Sequence, residues 1–174
     1  VTWYSNVTTC KVPIIQHEKY TASVLNNMVI PTGDRVIIHL GTLPNGKYYE
    51  QGSMSLQIGG ETWVLVDTFA KSKPTDKHFM VSVDEALNPY IMFGDGTFGK
   101  KPAAGAKITN VVFYLTNGTQ GNVKSNTITS VPSIISSSIT DATVSNAYDA
   151  GGGSNYENFT MLKEHIPLSV KTLG

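Results

Sequence analysis

Pairs and triplets of Gly, Pro and Asn interrupt this chain at short intervals: Pro31-Thr32-Gly33, Pro44-Asn45-Gly46, Gly59-Gly60, Asn88-Pro89, Gly94-Asp95-Gly96 and Asn117-Gly118. Glycine supplies positive φ, proline withholds an N–H, and asparagine bonds its own backbone, so each such cluster ends regular structure. The runs between them are rich in β-branched and aromatic residues. They predict strands at residues 9–17, 34–40, 53–58, 61–66, 78–83, 90–93, 107–116, 126–131, 134–139 and 143–147. A chain punctuated in this way folds as β structure.

The clearest hairpin is residues 53–66. Met54, Leu56 and Ile58 alternate with polar neighbours before Gly59-Gly60, and Trp63 and Leu65 do so after it. A two-residue glycine connection suits a primed turn, and the alternation predicts one buried face. Only the C-terminal part reads as helix. Ser154-Asn155-Tyr156-Glu157 fits a capping box, Phe159, Leu162 and Ile166 form an apolar stripe, and Pro167 stops the run. The expected fold is mainly β, an antiparallel β-sandwich or barrel-like domain with one short C-terminal α-helix. Residues 1–140 form the β-rich domain. Residues 141–174 form a linker in which Gly151, Gly152 and Gly153 hinge or pack closely before the helix capped by Ser154 and Glu157.

Composition removes several functions. Thirteen Lys and Arg balance thirteen Asp and Glu over 174 residues, so the basic excess of a phosphate-binding nucleic-acid protein is missing. Arg35 is the sole arginine, which leaves almost no bidentate anion clamp. No apolar stretch reaches the roughly 20 residues of a membrane helix. Cys10 is the only cysteine, so no intrachain disulfide forms; an unpaired thiol suits a reducing compartment.

The most suggestive local motif is Gly94-Asp95-Gly96-Thr97-Phe98-Gly99-Lys100, which has the GxxxxGK spacing of a phosphate loop. That chemistry needs a Ser or Thr next and a helix beginning there, whereas Lys101 and Pro102-Ala103-Ala104-Gly105 follow. The preferred reading is a tight structural bend at the end of a strand, shaped by its glycines. Asp67, Asp84, Glu85 and Asp95 lack the alternating oxygen donors of a calcium loop and read as turn residues. His17, His39, His78 and His165 form no local ligand pair, and no serine lies in a nucleophile elbow. Trp3, Tyr48, Tyr49 and Trp63 carry the alternative reading, a β-sandwich carbohydrate-binding or host-recognition module of a virion or secreted protein. No cofactor, metal, catalytic constellation or small-molecule substrate is expected.

Five features, in order, resemble the baseplate J-like family of contractile phage tails and related injection machines. An Ile-Pro-Thr-Gly turn (Ile30 to Gly33) is similar to its IPxG turn. Trp63 with Val66 resembles its W-x-x-V strand. Phe93-Gly94-Asp95-Gly96, continued through Gly99 to Pro102, is similar to its FGDGxxGxxP signature. Tyr114 through Gly121-Asn122 resembles the stretch in which a Tyr is followed by G-x-x-GN, here with three residues between Tyr114 and Gly118, and Gly151-Gly152-Gly153-Ser154-Asn155 with Glu157 resembles the GGxDxE element before a helix and a proline. Asn155 stands where that element usually has Asp, and Lys163 where Arg is usual. The resemblance covers about residues 30–174. It implies a non-enzymatic middle segment of a wedge-ring protein in the tail baseplate. Its partners would be copies of itself and other baseplate and tail proteins, with neither nucleic acid nor membrane involved. It would help transmit the contraction trigger and act in the virion after assembly in the bacterial cytoplasm. Gly94, Asp95, Gly96, Gly99, Pro102, Gly121 and Asn122 would be its structural turns, with Gly151, Gly152, Gly153, Ser154 and Glu157 as its hinge and cap.

Overall fold

Alternation and turn chemistry build the centre of the sheet as the sequence requires. Strands β4 (Ser55–Ile58) and β5 (Glu61–Leu65) form an antiparallel hairpin that pairs Leu56 with Trp63 and Ile58 with Glu61. Gly59 and Gly60 both have positive φ, 59° and 81°, as a type I′ turn demands. Leu56, Ile58 and Trp63 are buried on one face. The structure, a computed structural model, describes residues 15–21, 25, 28–130 and 143–156.

The remaining strands are β1 (Glu18–Thr21), β2 (Ile37–His39), β3 (Tyr48–Tyr49), β6 (His78–Val83), β7 (Pro89–Phe93) and β8 (Ile108–Thr116). They join in one curled sheet, half of a barrel, in the order β1-β8-β4-β5-β6-β7-β2, with β3 also paired to β8. Its concave face gathers a single core in which Phe79, Ile91, Ile108, Val111 and Phe113 are fully buried.

The mainly β expectation holds, and its barrel-like form is the one adopted. The sheet is mixed, however, not purely antiparallel, because β5 and β6 run parallel. Strand β4 already occupies one side of β5, and the parallel register on the other side sets Leu65 beside Phe79 on the core face. The amides of Val64 and Val66 bond the carbonyls of Lys77 and Phe79 at 2.8 and 2.9 Å.

Strand β8 owes its curvature to a bulge. Gln57 pairs with Thr109 while Ser55 pairs with Val112, so β8 carries one extra residue between these points. Asn110 takes it up with φ 54° and donates from Nδ2 to Gln57 Oε1 at 2.7 Å. The bulge switches which parity faces inward: Ile108 is buried before it, and Val111, Phe113 and Leu115 after it.

Two predicted strands are corrected. Residues 126–130 and 143–147 form no strand. Asn126 has φ 61°, and the side chain of Asn146 accepts from Ile128 N while donating to the carbonyls of Lys124 and Tyr148. These side-chain bonds take the place of a ladder. Of the predicted first strand, the described residues 15–17 are not strand, and β1 starts at Glu18. Residues 9–14, the strand at 134–139 and the C-terminal helix with Glu157 lie outside the described residues.

Candidate functional site

The two motif-bearing segments form two separate junctions, one leaving β7 and the other leaving β8. Strand β7 ends with Phe93 buried against Trp63 and Phe79, at ring separations of 5.3 and 6.4 Å. The chain then folds back on itself. Gly94 lies so close to the backbone of Gly99 that a side chain on Gly94 would overlap it. Gly96 N donates to Gly99 O at 3.0 Å, and both glycines have positive φ, 94° and 82°. Asp95 Oδ1 accepts from the amides of Thr97 and Phe98 at 2.7 and 2.8 Å. Those bonds, from Phe98 first and Thr97 second, hold the Asp95 carboxyl below its ordinary value.

Contacts from distant segments fix this loop in place. Lys100 N donates to Asp76 O at 2.7 Å, and the Phe69 ring packs over Gly99. Glu61 approaches Lys77 at 2.6 Å and Lys100 at 3.9 Å; chiefly the Lys77 bond lowers its pKa. Pro102 is buried and ends the loop. The amides of Gly96, Thr97, Phe98 and Lys100 thus bond the chain's own oxygens, where a phosphate cradle would present such groups to a ligand. No helix follows; residues 101–106 are irregular and turn.

At the second junction, β8 runs into a 3-10 turn, Gly118–Gly121, with Gly118 buried at φ 55°. Residues far along the chain return to it. Asn122 and Gly153 exchange two bonds, Asn122 Nδ2 to Gly153 O and Gly153 N to Asn122 Oδ1, both 2.9 Å. Asn155 Oδ1 accepts from Thr119 N at 2.9 Å and from Thr119 Oγ1 at 3.3 Å. Tyr156 donates to Tyr49 O at 3.0 Å, and Ala150 N to Val123 O at 2.8 Å. Asp149 bonds Lys124 Nζ and Ser125 N, both 2.8 Å; these, Lys124 first, lower its pKa. Gln16 Oε1 accepts from Asn117 N at 3.2 Å. Between this junction and β3 lies a cleft of about 920 Å³, lined in part by Tyr48, Tyr49, Asn122, Gly152 and Tyr156.

The structure therefore brings Gly121, Asn122, Gly151, Gly152, Gly153 and Ser154 to one place, and Gly94, Asp95, Gly96, Gly99 and Pro102 to another. Strand β7 lies next to one sheet edge and β8 next to the other. Sequence reasoning missed the supports Phe69, Asp76, Gln16 and Asn146, whose roles depend on partners distant in the chain.

The other candidates are placed as follows. Asp84 caps its own turn, accepting from Ala86 N and Asn88 N at 2.9 Å. His17 stacks on Tyr114 at 4.2 Å, with Nδ1 3.3 Å from Glu50 Oε2, and His78 Nδ1 meets Ser72 Oγ at 2.8 Å. Among the described residues no three His, Cys, Asp or Glu side chains gather as metal ligands. Trp63, one of the four sugar-stacking candidates, is 4% exposed and stands edge-on to Phe93. Tyr49 is likewise buried, and burial pushes its phenol up to about 12. Trp3 and His165 lie outside the described residues. The chain matches no protein-family model, no curated protein and no solved structure.

Proposed function

We propose that this chain is a segment of a contractile-tail baseplate wedge protein. It is a non-enzymatic part that assembles with copies of itself and with other tail proteins at the base of the virion tail, having been built in the bacterial cytoplasm. The observation that carries the reading is the reciprocal bond pair between Asn122 and Gly153. These residues belong to two motifs of the resemblance that are 31 positions apart. Their direct engagement gives the order of the motifs a physical meaning, as parts of one joint.

The first junction supports the same reading. Its amides are satisfied internally, so the loop presents a set shape, with Phe98 54% exposed at its tip. Rigid, pre-shaped loops suit an assembly scaffold because little entropy is lost when a partner docks. A wedge protein also has to pass a displacement between neighbours. A joint held by exposed amide bonds can open at smaller cost than a packed core.

The test is particle composition. Contractile tails purified from the source bacterium are expected to contain the full protein in fixed stoichiometry with sheath and hub, and disruption of its gene is expected to abolish sheathed tails. Intact tails that lack the protein, or normal tail assembly without the gene, would overturn the reading.

A further inference from the structure

The two edges of the half-barrel are not alike. At one edge, β1 carries Glu18 and Lys19, and Glu18 is paired with Lys47 at 3.0 Å. Charged side chains on an edge strand discourage pairing with another sheet. At the other edge, β2 consists of Ile37, Ile38 and His39, with no formal charge inside the strand. Ile37 is 45% exposed. Strand β2 faces β7 through Val36, Ile38 and Leu40: Phe93 N donates to Val36 O at 3.2 Å, Leu40 N donates to Pro89 O at 3.1 Å, and Ile38 pairs with Ile91 between them. By antiparallel alternation, the N–H and C=O groups of Ile37 and His39 point away from the sheet. Among the described residues, none of these groups has a partner.

We propose that β2 pairs antiparallel with β2 of a second copy of this chain, about a twofold axis at Ile38. The pattern is self-complementary. Ile37 of each copy exchanges both its backbone bonds with His39 of the other, so two donors and two acceptors per copy are all matched. Ile38 meets Ile38 as the non-bonded pair between them. The charges also fit. In this register Arg35 falls opposite Gly41, and Asp34 opposite Thr42, so no like charges meet, and the charged positions of the two copies lie at opposite ends. The pairing lengthens the outer-face row in which Ile37 lies beside Met92, and Met92 beside Met80.

This proposal deepens the baseplate reading and rests on it for its setting, since a ring scaffold meets copies of itself. The experiment is sedimentation equilibrium of the full chain under reducing conditions, at concentrations up to about 1 mM, the range of a small interface. The wild type is expected to form a reversible dimer. Ile37→Lys gives β2 the kind of charge that β1 carries, and His39→Pro removes an outward N–H without touching the ladder to β7. Each is expected to raise Kd at least tenfold with Tm within about 2 °C of wild type; Lys19→Thr, at the other edge, is expected to leave Kd unchanged. Should His39→Pro melt early, the exposed Ile37→Lys variant decides. A wild-type monomer, or a dimer indifferent to Ile37→Lys, would overturn the proposal and leave the baseplate reading to its own test by particle composition.

Discussion

The two glycine-built junctions solve the same problem with different materials. In residues 94–102, glycine backbone packs on glycine backbone beneath Phe69, and one aspartate closes the turn within three residues. In the other, side-chain amides of Asn122, Asn146 and Asn155 tie together segments 18 to 36 positions apart, mostly on the surface. The first derives its shape from excluded volume, the second from hydrogen bonds that water can replace. A joint of the first kind breaks only with the sheet beside it, whereas one of the second kind can open alone.

The largest expected contrast comes from adding side chains. Gly94→Val drives Cβ into the Gly99 backbone and should cost at least about 3 kcal/mol, near 10 °C in Tm, or prevent folding. Gly151→Val, which meets nothing within 4 Å, should shift Tm by less than about 2 °C. Equal melting of the two variants would erase the distinction between the junctions.

A smaller effect is expected from Asn122→Ala. It removes both bonds to Gly153 and should weaken the second junction by about 1–2 kcal/mol. Amide exchange at Thr119 and Ala150 should speed up roughly tenfold, with the melting of the sheet unchanged. Protection left intact at those amides would show that the joint does not depend on the pair.

Acid and salt give the finest separation. Asp95 and Asp149 both have carboxyls lowered from the ordinary 3.8. A lowered folded-state pKa means that its stabilisation is full above 3.8 and is lost as pH falls through the folded value. Amide exchange at Thr97 and Ser125, whose N–H groups these carboxylates accept, should therefore accelerate below about pH 4. High salt should loosen only Ser125. Asp149 depends first on Lys124, whereas Asp95 depends on backbone amides. Equal salt sensitivity at the two amides would contradict this division.

How much of this was legible depends on sequence distance. The hairpin at Gly59-Gly60 and the Asp84 and Asp95 turns were readable because donor, acceptor and glycine lie within a few residues. The bulge in β8 is visible in retrospect: the apolar positions shift from Ile108 to Val111, Phe113 and Leu115. Residues 126–130 and 143–147 misled because their β-branched content matched a strand, while Asn126 and Asn146 supplied bonds that a propensity reading does not weigh. The grouping of the motif residues into two junctions was not readable, since Asn122 gives no sign that it will meet Gly153.

Taken alone, the sequence determined the class of structure and the places where the chain must turn. Side-chain period and positive-φ requirements are local properties of covalent geometry, and no partner is needed to express them. Tertiary structure alone decided the parallel placement of β6 beside β5, the seating of the β7 loop under Phe69 and on Asp76, and the joining of the 3-10 turn to Gly153 and Asn155. These depend on which surfaces remain unburied once nearer elements have paired. That choice is settled by the whole chain's burial and hydrogen bonding, not by any one segment's preference.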